Sequence, residues 1–161
     1  MLVDTDYFHV DVESTCNDKK YTDLVYKIAL TQTKSDYDAA DVFQEVFMRL
    51  AENHNKITSD EHLKHWLIRV TLNCSKKHFR MWMRNSDVVF DDNLGLTSEE
   101  HDIFYAVQEL PPNDRIVIHL FYYESLPIKE ISRILNTKEA TVKSRLSRAR
   151  EKLRNVLVEE L

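Results

Sequence analysis

The sequence predicts an all-α protein of two small helical domains, the second a helix-turn-helix, joined by an acidic linker. Three observations predict it. A single glycine and three prolines in 161 residues are too few turn-tolerant positions for a sheet protein of this size. Apolar residues recur at helical rather than alternating spacing along most of the chain. Near the C-terminus a short helical stretch, a turn and a longer basic stretch follow one another, which is the helix-turn-helix order.

The elements follow in order. Residues 1–18 are polar and unpatterned, and are expected to be loosely ordered. A first domain is expected over 19–85. Leu24, Val25, Ile28 and Ala29 mark its first helix. Asp36 or Asp38 is expected to cap the next, where Ala39, Val42, Phe43, Val46, Phe47 and Leu50 make one apolar stripe. After a connector at 53–60, with Thr58, Ser59 and Asp60 as candidate caps, a long helix carries Leu63, Trp66, Leu67, Val70, Cys74 and Met81 inward. Residues 86–100, with Gly95 and four acids before Glu100, read as the linker.

A second domain is expected over 101–161. Ile103, Phe104, Val107 and Leu110 start a new pattern, and Pro111–Pro112 end that helix and begin another, with Ile116, Val117, Leu120 and Phe121 inside. Ser125 to Pro127 interrupts the chain. Ile128, Ile131, Ile134 and Leu135 define a short helix, and Asn136 is expected at positive φ in the following turn, being the residue after glycine that best tolerates it. The last helix, from Glu139 to about Leu157, turns Val142, Leu146, Ala149 and Leu153 inward. This leaves Lys138, Thr141, Lys143, Ser144, Arg145, Ser147 and Arg148 outside.

The formal net charge of −5 argues against a nucleic-acid partner only until its distribution is read. Residues 62–85 carry Lys64, Arg69, Lys76, Lys77, Arg80 and Arg84 and no acid. Residues 86–109 carry seven acids and no Lys or Arg, and 129–154 carry nine basic residues against three acids. Two basic blocks separated by an acidic one suggest two polyanion-facing surfaces. The bland reading of each block is a solvated helix face. Long cations and hydroxyls on a recognition helix can serve base edges or phosphates.

Other chemistry finds little support. Cys16 and Cys74 are too few for a disulfide framework. With no apolar run near the length that spans a bilayer and no signal-peptide pattern, a cytoplasmic protein without membrane insertion is expected. His62 with His65, and Cys74 with His78, have metal-pair spacing, but neither pair completes a tetrahedral set, so no metal is expected. One glycine cannot make a phosphate loop, Asp38/Asp41 and Asp91/Asp92 fit capping and solvation, and no nucleophile constellation is visible. No enzyme activity and no cofactor are expected.

Leu110-Pro111-Pro112, Ile131 to Leu135, and the run from Thr141 to Leu153 (TVKSRLSRAREKL) resemble region four of the extracytoplasmic-function (ECF) sigma factors. Asn136 and Ala140 stand where that family usually has glycine. Asp38 to Leu50 (DAADVFQEVFMRL) and His65 to Asn73 (HWLIRVTLN) resemble its region-two helices. The resemblance implies an RNA polymerase sigma factor that binds core polymerase and directs initiation from two promoter elements. Lys138, Thr141, Lys143, Ser144, Arg145, Ser147 and Arg148 would serve the upstream, minus-thirty-five element. Arg69, Asn73, Lys76, Lys77 and Arg80 would serve the downstream, minus-ten element, where unstacking bases costs a few kcal/mol that a cationic groove can offset. Asp41, Gln44, Glu45, Met48 and Arg49 would face the polymerase. The implied partners are the beta-prime coiled coil and beta flap of core polymerase, promoter DNA and an anti-sigma factor. Two other readings stay open: a helix-turn-helix regulator that binds duplex DNA alone, and a family member acting mainly as a protein-interaction module.

Overall fold

The computed structural model describes residues 8–84 and 98–159, with side chains described to 78 and from 103 to 156. Eight α-helices are present among them: α1 (Val12–Asn17), α2 (Lys19–Thr33), α3 (Asp36–Asn53), α4 (Asp60–Arg84), α5 (Ser98–Gln108), α6 (Pro112–Ile118), α7 (Ile128–Leu135) and α8 (Glu139–Glu159). A 3-10 turn, His54–Lys56, follows α3, and a π turn, His119–Tyr123, extends α6. No strand occurs among the described residues.

Short polar side chains start the first four helices. Asp11 accepts from the Ser14 amide at 3.1 Å and Asp18 from that of Lys20 at 2.9 Å. Ser35 accepts from the Asp38 amide at 3.2 Å and Ser59 from that of His62 at 3.0 Å. Each satisfies an amide the helix cannot use internally. The expectation that Asp36 or Asp38 caps α3 is therefore corrected to Ser35. The two aspartates lie inside the first turn, where their charge favours the helix N-terminus. Asp36 instead accepts the Tyr26 hydroxyl at 2.7 Å, and burial together with that bond pushes the phenol up to about 12.

Residues 1–7 lie outside the described residues, and 8–18 also depart from expectation. From Asp11 onward they form a capped helix packed on α2 and α3, with Val10 and Thr15 buried. Six helical residues are too few to display a 3.6-residue period, so the element leaves no stripe in the sequence.

α1 to α4 enclose one apolar core around Val25, Ala29, Val42, Val46, Leu50, Leu63 and Leu67. The second core is built chiefly from α5 to α8, through Val107, Leu110, Ile116, Val117, Leu120, Ile131, Ile134, Val142, Leu146 and Ala149. Leu24 and Ile28 of α2 and Ile68 and Leu72 of α4 belong to this second core as well. The halves thus pack directly against each other, a closer arrangement than a linker alone implies. Of the expected linker, 98–100 open α5 and 86–97 lie outside the described residues.

Turns fall where expected. Pro112 occupies the first turn of α6, where a missing N–H costs nothing, and the Arg115 amide bonds Pro111 O at 2.9 Å. Asn136 closes α7 at φ 51°, ψ 48°. With one glycine in the chain, Lys34 and Ser125 also take positive φ, at 59° and 53°.

Arg115 is the least comfortable buried group. It is 1% exposed, and its guanidinium donates to Gln108 O at 3.2 Å and contacts Gln108 Oε1 at 3.5 Å. Burial draws its pKa down to about 10, against a small opposing pull from Glu109.

Candidate nucleic-acid and polymerase interfaces

α7, the Asn136 turn and α8 build the upstream candidate. Ile131 and Ile134 pack with Val142, Leu146 and Ala149, which fixes how α8 crosses α7. The Lys138 carbonyl accepts from the Thr141 and Val142 amides at 3.0 and 3.1 Å, so Lys138 stands at the mouth of α8. Lys138, Lys143, Ser144, Ser147 and Arg148 are exposed, and Thr141 and Arg145 are half-buried. All seven predicted residues therefore lie on or at the edge of one face. Two are already engaged. Ser144 donates its hydroxyl to Ala140 O at 3.0 Å, and Arg148 reaches Oδ1 of buried Asp114 at 3.5 Å. Arg148 is thereby held against α6 while its side chain remains 61% exposed.

Spacing did not reveal a further cationic feature on α8. Arg150 donates to the Tyr122 hydroxyl at 2.6 Å and lies over the rings of Phe121 and Tyr122 at 5.4 and 5.5 Å. Only the fold brings the π turn to α8.

α4 carries the downstream candidate. Leu63, Leu67, Ile68, Thr71, Leu72, Cys74 and Ser75 are buried, while Arg69, Asn73, Lys76 and Lys77 are exposed along one strip. Their separations of four, three and one residues keep them on a single helix face. Trp66 is half-buried against the first core, as its place on the apolar stripe predicts. The Arg80 side chain lies outside the described residues.

On α3, Asp41, Gln44, Met48 and Arg49 are exposed, as a docking helix requires. Glu45, expected on the same outer face, is less open than its neighbours there. It is half-buried, takes Arg49 at 2.8 Å, and lies 3.9 Å from both Lys77 and His78 on α4. Burial works against its carboxylate, but Arg49, Lys77 and His78 together hold it below the usual range. The predicted polymerase face and the predicted downstream face thus meet at one carboxylate. Tyr37, 79% exposed and one turn before Asp41, extends the α3 face. Continuing the outward spacing of 41, 44 and 48 backwards by one turn would have found it.

The two sequence pairs with metal-like spacing do not converge. His62 Nδ1 accepts from the Thr58 amide at 3.2 Å, and Cys74 is buried, its thiol pushed up by that burial. The fold instead groups Asp38, Asp41 and His78, and separately Glu61, His65 and Glu130, with each set's ligand atoms within 4.8 Å of one another. No described helix is long and apolar enough to cross a membrane.

A helix-turn-helix with a basic outer face, beside a helical unit whose longest helix carries a second basic strip, presents two surfaces suited to a polyanion. Comparison with known proteins gives the class. The "Sigma-70 region 2" family profile matches residues 19–84, and "Sigma-70, region 4" matches 101–153. The Bacillus subtilis ECF RNA polymerase sigma factor SigM is 33% identical over 146 residues, covering 83% of this chain and 88% of SigM. RNA polymerase sigma factor SigV of the same organism is 27% identical, covering 84% and 85%. Among solved structures, the Bartonella quintana sigma factor RpoE, crystallised with the anti-sigma factor NepR, superposes with a TM-score of 0.72 at 21% identity. That match covers 84% of this chain and 91% of RpoE. CnrH, in complex with the cytosolic domain of CnrY, superposes at 0.66 and 18% identity, covering 93% and 96%. The chain belongs to the ECF sigma factors of the sigma-70 family. It is a transcription factor that acts with core RNA polymerase and promoter DNA to give promoter-specific initiation, and a stand-alone DNA-binding regulator is not favoured.

Proposed function

We propose that the two exposed basic faces divide the promoter between them. α8 holds the upstream element through Lys138, Thr141, Lys143, Ser144, Arg145, Ser147 and Arg148. The α4 strip of Arg69, Asn73, Lys76 and Lys77, continued by Arg80, holds the downstream element as its strands part. Asn73 is the residue of the strip suited to reading a base edge, since its amide both donates and accepts. The cations neutralise phosphates and offset the cost of unstacking. The polymerase meets α3 through Asp41, Gln44, Met48 and Arg49, with Glu45 bracing that face against α4. In this reading residues 19–85 and 101–161 are the two working units, and α1 is a buttress on the first.

One observation carries the reading: α4 and α8 each turn apolar residues inward and keep basic residues exposed on an outer side. RpoE is seen with the anti-sigma factor NepR and CnrH with the cytosolic domain of CnrY, and we propose a partner of the anti-sigma kind for this chain too. The protein itself carries out no reaction and works where the polymerase works, in the cytoplasm. Run-off transcription with purified core polymerase tests the reading. Specific initiation should appear only when this protein is added. Tight duplex binding by the free protein with no such initiation would overturn it.

A further inference from the structure

Glu61 and His65 lie one turn apart on α4, in the first half of the chain. Glu130 lies in the first turn of α7, in the second half. All three side chains converge on one atom. His65 Nε2 is 2.6 Å from Glu130 Oε1 and 4.0 Å from Glu61 Oε1. A single ring nitrogen carries at most one proton, so it can satisfy only one of two carboxylates facing it. Glu61, in the first turn of α4, is favoured by the helix N-terminus, but at 4.0 Å it lies beyond hydrogen-bond reach of His65. A further positive charge would draw the two mutually repelling carboxylates together.

A divalent cation supplies that charge. One imidazole nitrogen and two carboxylate oxygens form a donor set for Zn²⁺ and the neighbouring first-row divalent ions. Metal–ligand distances near 2.0–2.2 Å in a tetrahedron separate the ligand atoms by roughly 3.3 Å. The short contact must lengthen and the long one shorten, each by less than about 1 Å on that geometry. The Glu61 side chain, 72% exposed, is free to make the adjustment, while those of His65 and Glu130, 19% and 23% exposed, hold the inner side. The exposed flank leaves a fourth position for water.

We propose that Glu61, His65 and Glu130 form a Zn²⁺-class metal site that clasps the two halves of the molecule together. Because the ligands come from both halves, the ion binds only the packed arrangement and stabilises it by mass action. Rising metal then holds α7 on α4, against any separation of the halves that binding to a long promoter demands. That consequence rests on the two-element reading above; the binding itself does not.

The test is titration of the full chain with ZnCl₂ by calorimetry near neutral pH, repeated with Co²⁺ and followed by its visible absorption. One equivalent should bind, and Glu61→Ala and Glu130→Gln should each weaken binding by about tenfold or more. Asp38→Asn, in the other cluster, should leave it unchanged. Zinc should also slow amide exchange in both α4 and α7 of the wild type. Glu61→Ala removes an exposed side chain that has no hydrogen-bond-length contact with His65, so a merely structural His65–Glu130 pair would survive it. Unchanged affinity in both glutamate variants, loss of binding in Asp38→Asn instead, or no binding at millimolar zinc would overturn the site. Failure of run-off transcription in buffer with Mg²⁺ but no added zinc would count against the promoter reading and leave the site standing.

Discussion

α4 and α8 are both long basic helices, yet they are built to different plans. α8 buries one side, with Val142, Leu146 and Ala149 on the second core and Leu153 partly covered, and leaves the rest of its surface to solvent. α4 is buried on two sides. Leu63, Leu67 and Cys74 face the first core, Ile68 and Leu72 the second, and Thr71 and Ser75 are buried too. What remains exposed on α4 is a narrow strip. A helix with one inner stripe can change its outer face almost freely, whereas a helix between two cores cannot. Upstream recognition on α8 is therefore expected to be the more adjustable of the two contacts.

The largest expected effect follows from that difference. Leu67→Ala, at a fully buried position of α4, should cost about 3 kcal/mol by chemical denaturation, and Ile68→Ala a similar amount through the other core. Leu153→Ala, at a half-buried position of α8, should cost less than half as much. Equal losses at Leu67 and Leu153 would break the comparison.

A gain in stability is expected from Gln108→Glu, since an opposite charge beside the buried Arg115 guanidinium offsets part of its desolvation. The new carboxylate would stand 3.5 Å from the Arg115 guanidinium, which now donates to amide oxygens of Gln108 and feels a weaker pull from Glu109. The melting temperature at neutral pH reads it, and a lower value would show that Arg115 is better accommodated than its depressed pKa indicates.

Lys143→Ala should weaken binding to an upstream-element fragment by roughly tenfold and lower the salt slope by about one, while stability moves by less than about 0.5 kcal/mol. Arg148→Ala should weaken binding too, but it also strips a partner from buried Asp114 and should destabilise the fold measurably. If the two variants unfold alike, the Arg148–Asp114 contact contributes nothing.

The smallest effect is one of pH. The His119 ring, with Nε2 3.5 Å away, holds the Glu124 carboxyl below its ordinary 4.5 against the opposing effect of burial. The stability this provides is complete above that value and is lost as pH falls through the lowered one. Glu124→Gln should flatten the stability curve in that acid window only; an unchanged curve would contradict it.

What could be read in advance tracks the same contrast. The stripe of α8 and the left-handed Asn136 turn were legible, because a one-sided helix shows a single period and asparagine tolerates positive φ. α4 showed the stripe toward the first core but not the role of Ile68 and Leu72, since a helix buried on two sides superimposes two patterns. Ser35 is harder to single out as a cap, because two aspartates of equal capping ability follow it closely. The bracing of Glu45 by Lys77 and His78, and the meeting of His65 with Glu130, depend on tertiary contacts that no local spacing encodes.

The division of the promoter between two helices is tested most directly by run-off transcription from a promoter selected from random sequence for initiation by the wild-type factor with core polymerase. Its upstream and downstream halves are then scrambled in turn. Lys143→Ala should become indifferent to the upstream half alone, and Asn73→Ala to the downstream half alone. Loss of response to the same half in both variants would contradict the assignment of one element to each helix.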